Sequence, residues 1–134
     1  MKHLLMYSVF AAVTFLSCQK PINWDLNPQA IASLATDSFG NCLPIPVYGN
    51  YTVDSALTDS NYIVVPVEVA APGSYYIYTN FVNGYSFQAS GNFTSKGITN
   101  VKLPGEGKPA FAQTDSFFVY FNSASCTFSV NVLQ

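Results

Sequence analysis

Three cysteines, one histidine and seven acidic residues are the chain's inventory for covalent, metal or acid-base chemistry. The histidine, His3, stands beside Lys2 ahead of an apolar run from Leu4 to Leu16, and everything downstream lacks imidazole. His is the side chain that titrates nearest neutrality and a leading zinc ligand, so both uses are closed to the rest of the chain. The acids are Asp25, Asp37, Asp54, Asp59, Glu68, Glu106 and Asp115. A glycosidase needs only two carboxylates, but no two of these lie at a spacing that marks a pair. Asp54 and Asp59 share a segment without the pattern of a calcium loop. Gly105-Glu106-Gly107-Lys108 lacks the full spacing and the following helix of a phosphate loop, and reads as a turn. The expectation is no enzyme, no metal site and no cofactor.

Aromatic residues are what the chain has in quantity, 16% against 9% charged. The richest stretch, Ser74 to Phe93, reads as two strands joined at Asn83-Gly84. Tyr75, Ile77 and Thr79 alternate with Tyr76, Tyr78 and Asn80, the period of a strand whose faces meet different environments. Asn-Gly tolerates the positive φ of a tight hairpin turn, and Tyr85, Phe87 and Ala89 resume the alternation. A lone hairpin is marginally stable, so flanking strands must supply a second layer. Pro46 to Tyr51 reads as an edge strand, since proline suits an edge. Asn61 to Val69 places Ile63, Val65, Val67 and Val69 on one face, with Pro66 and Glu68 on the other. Gly97 to Leu103 offers Ile98, Val101 and Leu103 in imperfect alternation, which leaves room for a bulge. A long turn over Pro104, Gly105, Gly107 and Pro109 follows. Ser116 to Phe121 and Cys126 to Leu133 close the set. Seven short strands over 42–134 predict an all-β, immunoglobulin-like antiparallel sandwich.

The apolar run at the start is shorter than the ~20 residues that cross a bilayer, and its charged beginning makes it a signal-peptide core. It ends in Phe15-Leu16-Ser17-Cys18, which resembles the bacterial lipobox. That resemblance implies a lipoprotein signal peptide over 1–17 and a lipidated Cys18, with palmitate among its acyl chains, as the mature N-terminus. Each buried CH₂ contributes about 0.8 kcal/mol, so two or three chains hold a protein firmly in a membrane. Gln19 stands where Gram-negative lipoproteins kept in the inner membrane often carry Asp, which implies the outer membrane. Gln19-Lys20 fits the start of a Bacteroidota surface-export tether, whereas Pro21, Ile22 and Asn23 depart from its acidic part; either side of the membrane stays open. Residues 18–41 read as the tether. Within it Asn27-Pro28 is expected to open a short helix through Leu34, ended by Asp37, Ser38 and Gly40. Trp24, the only Trp, is expected to pack on the domain or at the headgroups. With the leader removed, four Lys face seven acids, a net −3, and there is no Arg. Such a chain does not attract phosphate backbones, so nucleic acid is excluded as a partner.

From Asn61 onward the chain resembles an Ig-like module of Bacteroidota surface proteins and lipoproteins. The residues that carry the likeness are Pro72-Gly73-x-Tyr75-x-Ile77-x-Thr79, Val82-Asn83-Gly84 with Phe87, and Gly91-x-Phe93. They continue with Gly97, Val101, Leu103, Gly105, Gly107 and Pro109, then Cys126-x-Phe128-x-Val130-x-Val132. Trp on the third strand, a mark of antibody domains, is absent. The resemblance implies a non-enzymatic module, here in a single copy behind a lipoprotein leader. In that topology the first strand can run parallel beside the last, which would join Cys42 to Cys126 in a disulfide that the envelope permits; two buried free thiols are the alternative. The third and sixth strands would be neighbours. Tyr75, Ile77, Phe117 and Val119 would then face the core, leaving Tyr76, Tyr78, Phe118 and Tyr120 as one outward patch, a candidate binding face for a glycan or envelope protein. The alternative there is that the tether, Trp24 included, or a loop covers it. Asp54-Ser55-Ala56 is similar to the acceptor pattern of Bacteroidota O-glycans, which makes Ser55 a candidate site. The reading as a whole is a membrane-anchored cell-envelope lipoprotein serving recognition or structure. Its rival is a fimbrial subunit assembling by strand addition, although such subunits are cleaved after Arg, which this chain lacks.

Overall fold

Val, Ile, Tyr and Phe recur at every second position through most of the chain after Asn61, and each such run becomes a strand with one dry face. The computed structural model describes residues 28–134. The leader, Cys18, Trp24 and Asn27 lie outside the described residues. Eight strands follow in order: β1 Ile31–Leu34, β2 Val47–Tyr48, β3 Tyr62–Ala71, β4 Gly73–Thr79, β5 Tyr85–Phe93, β6 Gly97–Gly107, β7 Thr114–Phe121 and β8 Ala124–Asn131. Among the described residues there is no helix.

The strands pair antiparallel in the order β1-β3-β6-β5-β4-β7-β8, and β2 shares the free side of β3 with β1. Two strands carry the sheet round its corners. Residues 97–104 of β6 pair with β3 while 105–107 pair with β5, and β5 changes partner in turn from β6 to β4 after Phe87. The open edges, β1 and β8, then meet. Gln29 Nε2 donates to Asn122 Oδ1 at 3.1 Å, and Asn122 Nδ2 donates to the Ala32 carbonyl at 2.9 Å. Lower down, Val53 N donates to the Leu133 carbonyl and Leu133 N to that of Tyr51, a short parallel bridge. The product is a nearly closed all-β sandwich.

Its interior is aromatic at one level and aliphatic at the next. Phe117 stacks on Phe128 with centroids 5.2 Å apart, and Phe87 meets both edge-on at 5.5 and 5.7 Å. Ile63, Val65, Val67, Ile77 and Leu103 fill the remainder. Burying each of these side chains contributes about 1.5–3 kcal/mol.

Asn83 and Gly84 both take positive φ, 52° and 92°, and Val82 and Tyr85 exchange backbone hydrogen bonds across them, so the expected hairpin turn is present. Other expectations are overturned. The helix towards Leu34 is strand β1: Ser74 N donates to the Pro28 carbonyl and Ala30 N to that of Ser74, each at 2.9 Å. A ladder to distant chain thus satisfies groups that a helix would have paired locally, and Ala30 and Leu34 reach the core. Ile31 to Leu34, within the segment expected as tether, therefore lies in the sheet, with an isolated bridge from Gln29 to Ser74 before it. The turn expected over 104–109 is strand as far as Gly107, with Gly105 inward where a Cβ would meet Leu57 Cδ1 at 2.7 Å. No bulge interrupts β6 against β3, whose register runs unbroken from Tyr62↔Pro104 to Val69↔Gly97, and Ile98 simply points to solvent. The irregularities sit elsewhere, in β1 between Ile31 and Ala32, where the register against β3 shifts, and in the hairpin. Regular pairing stops at Tyr78↔Gln88 and the turn closes at Val82↔Tyr85, leaving one extra residue on the β4 side. Thr79 Oγ1 fills the gap by accepting from Phe87 N at 3.0 Å.

Candidate functional site

β4 and β7 join over a short antiparallel contact, Tyr78↔Tyr120 and Thr79↔Val119. Because side chains alternate, burying Ile77, Thr79, Phe117 and Val119 turns Tyr76, Tyr78, Phe118 and Tyr120 outward. Tyr75 is half-buried and stacks on Phe93 at 4.2 Å. Tyr76, Tyr78 and Phe118 keep 53%, 42% and 45% of their surface exposed, while Tyr120 between them is half-buried. The four touch in sequence: Tyr76 to Tyr78 at 5.2 Å, Tyr78 to Tyr120 at 5.5 Å and Tyr120 to Phe118 at 6.3 Å. Ring planes differ by only 21°, 35° and 22° along that path. Coplanar rings cannot come as close as 5.2 Å, so Tyr76 and Tyr78 form an offset stack, the Tyr78–Tyr120 pair is tilted, and the four rings form a ridge rather than a flat floor. Tyr76 Oη donates to Gln88 Oε1 at 2.9 Å, tying the ridge to β5. Phe118 N donates to Asn80 Oδ1 at 2.9 Å and Asn80 N to the Phe118 carbonyl at 3.3 Å, which extends the strand junction by one step.

Cys42 and Cys126 are bonded, with Cα atoms 6.0 Å apart. The link fastens the segment after β1 to edge strand β8. The parallel approach expected of the first and last strands is limited to a bridge at Thr52 and Leu133, at the far end of β8 from Cys126, while β2 itself pairs antiparallel with β3. Ser55 is exposed and its N donates to the Thr52 carbonyl at 3.2 Å, which places its hydroxyl on a surface turn. Asp54 and Asp59 are both exposed, and among the described residues no three His, Cys, Asp or Glu side chains gather as a metal would require.

One polar centre escaped the sequence reading. Asp115 is 2% exposed at the start of β7 and accepts three hydrogen bonds. Tyr85 Oη and Asn83 Nδ2 donate to its Oδ2 at 2.6 and 3.0 Å, and Gln113 Nε2 donates to Oδ1 at 2.6 Å. Asn83 also donates to the Phe111 carbonyl at 2.8 Å and accepts from Phe111 N at 2.9 Å. Burial first, then the bond to Asp115, pushes the Tyr85 phenol far above its usual range, so it remains a proton donor. Nothing reaches this carboxylate from solvent. It clamps the Asn83-Gly84 turn to the β6–β7 loop, which is structural work. The signal was available: Asp115 shares the parity of Phe117, Val119 and Phe121, and a strand begun at Ser116 leaves it out.

The chain matches no known protein family and no curated protein.

Proposed function

We propose that this chain is a non-enzymatic recognition or structural module of the cell envelope, held at the outer membrane by lipid on Cys18. The observation that carries the reading is the continuous outward row of Tyr76, Tyr78, Tyr120 and Phe118. Isolated exposed aromatics are ordinary, whereas a contiguous group of this kind usually marks a contact surface. Tyr suits the role because its ring gives apolar area and its hydroxyl a directional bond. Two further features support the setting. The Cys42–Cys126 bridge fits an oxidising compartment, and Leu16-Ser17-Cys18 supplies the lipidation pattern. The Ig-like reading draws on the two-layer arrangement, with the edge of β3 shared by β1 and β2 and a parallel step at Thr52 and Leu133.

The test is the double variant Tyr78→Ser, Tyr120→Ser in the full chain, followed by melting temperature and by attachment to isolated envelopes. Lost attachment with an unchanged melting temperature is the expected result. A sharp fall in melting temperature with attachment intact would make the row an internal packing surface and end the recognition reading.

A further inference from the structure

The two outer surfaces of the sandwich differ in charge. On the layer where β3 pairs with residues 97–104 of β6, Glu68 and Lys102 stand exposed, with Lys102 Nζ 4.3 Å above the Tyr62 ring. The aromatic layer is built from β5, β4, β7 and β8. No Asp, Glu, Lys or Arg occurs in β4, β5 or β8, and the one in β7, Asp115, is buried. Flanking the ridge are exposed amide and hydroxyl residues, Gln88 and Ser90 on one side and Thr127 and Ser129 on the other. That sheet face is thus aromatic at its centre and hydroxylic and amidic at its margins; its four strands carry no cationic side chain, and a carboxylate, Glu106, stands opposite Ser86 at the β6 end.

We propose that this face binds a neutral glycan, an uncharged polymer rich in hydroxyls; the proposal rests on the recognition reading above. Electrostatic complementarity selects against wrong partners as much as it favours right ones. A surface without cations gives no hold to phosphate, sulfate or uronate groups. Protein partners are commonly met with Arg in the contact area, and membrane-lying surfaces with Lys or Arg at the rim; this face has neither. Its own chemistry is the alternation of apolar ring and hydroxyl that a sugar chain also presents. The Tyr76 hydroxyl is engaged by Gln88. Among the described residues, the hydroxyls of Tyr78 and Tyr120 have no protein partner, so both stand ready beside ring surface to exchange hydrogen bonds with sugar hydroxyls.

Affinity electrophoresis of the full chain in detergent tests this, using native gels that contain galactomannan or xyloglucan, with polygalacturonate as the acidic comparison. At least one neutral polymer should retard the protein and polygalacturonate should not. The double variant Tyr78→Ser, Tyr120→Ser should bind about tenfold more weakly or worse. Should that variant unfold, Tyr78→Phe, Tyr120→Phe keeps the rings and should still weaken retardation several-fold. The proposal is overturned if neither neutral polymer retards the wild-type chain, if polygalacturonate retards it as much, or if the folded variants migrate like wild type. Attachment to isolated envelopes separates the two levels. Attachment that the variants lose without any retardation by neutral polymers removes the glycan and leaves recognition standing. Attachment and migration both indifferent to the variants would remove both.

Discussion

Replacing Tyr85 by Phe takes away one oxygen and should destabilise the domain by about 2 kcal/mol. The ring is fully buried and keeps its neighbours, Phe117 at 5.0 Å and Tyr51 at 5.9 Å, so apolar packing is unchanged. What goes is the 2.6 Å bond to Asp115 Oδ2. A hydrogen bond to a charged acceptor contributes roughly 1.5–3 kcal/mol, and the loss leaves a carboxylate that water cannot reach with two donors instead of three. Asp115→Asn should cost less, since its oxygen can keep Tyr85 and Asn83 while its NH₂ meets a turned Gln113 amide. Asp115→Leu is the severe change, because it orphans the Tyr85 hydroxyl and one Asn83 donor at about 1–3 kcal/mol each. Combining Asp115→Leu with Tyr85→Phe should then cost less than the two changes added, by roughly 1.5 kcal/mol or more, as the second removes a group the first left stranded. Denaturant unfolding at pH 7 with the disulfide intact measures all four. A Tyr85→Phe variant within about 0.5 kcal/mol of wild type, or additivity within ~0.5 kcal/mol, would refute the clamp.

Joining chain 84 residues apart in sequence, the Cys42–Cys126 bridge should contribute up to ~4.5 kcal/mol in the chain-entropy account; Cys42→Ala with Cys126→Ala should lower the unfolding midpoint accordingly, and two titratable thiols from these positions in denatured, unreduced protein would contradict the bond. Burial raises the Tyr51 phenol from its ordinary value to about 12 and Tyr85 further still, so the folded chain holds protons that the unfolded chain releases near pH 10. Stability from this source is complete below about pH 10 and declines as pH rises through about 12; melting temperatures that stay level from pH 9 to 12, with all phenols ionising together at 295 nm, would show otherwise. Cys18→Ala should abolish partition into the detergent phase, and unchanged membrane association of that variant would remove the lipid anchor.

The hairpin and the outward row were legible because their causes are local. Asn83-Gly84 names its turn, and strict alternation names the faces of β4 and β7 once the core side is known. The disulfide was expected because the Ig-like topology implied by the resemblance sets the first strand beside the last, with a cysteine opening each. What was illegible depends on chain far away. Ile31-Ala32-Ser33-Leu34 is too short to show a period, and Asn27-Pro28 before it is good local helix chemistry. The hydrogen bonds that decide the matter come from β3 and from Ser74, some 40 residues on. Pro104, Gly105 and Gly107 spell a turn in isolation, yet the glycine at 105 is there because Leu57 and Phe87 close over it.

The bulge in the hairpin is the instructive case, since the candidate site depends on it. Were β4 paired with β5 in one register to the turn, Thr79 would meet Phe87 through the backbone and Asn80 would continue along β5. The extra residue instead hands the Phe87 N–H to the Thr79 hydroxyl, whose own proton goes to the Asn80 carbonyl at 2.9 Å. Asn80 is thereby turned towards β7, where its backbone and side chain take both polar groups of Phe118. Only two residue pairs otherwise join these strands. The register that sets Tyr78 beside Tyr120, and so makes one row of two pairs of rings, is held by an irregularity that no alternation pattern could announce.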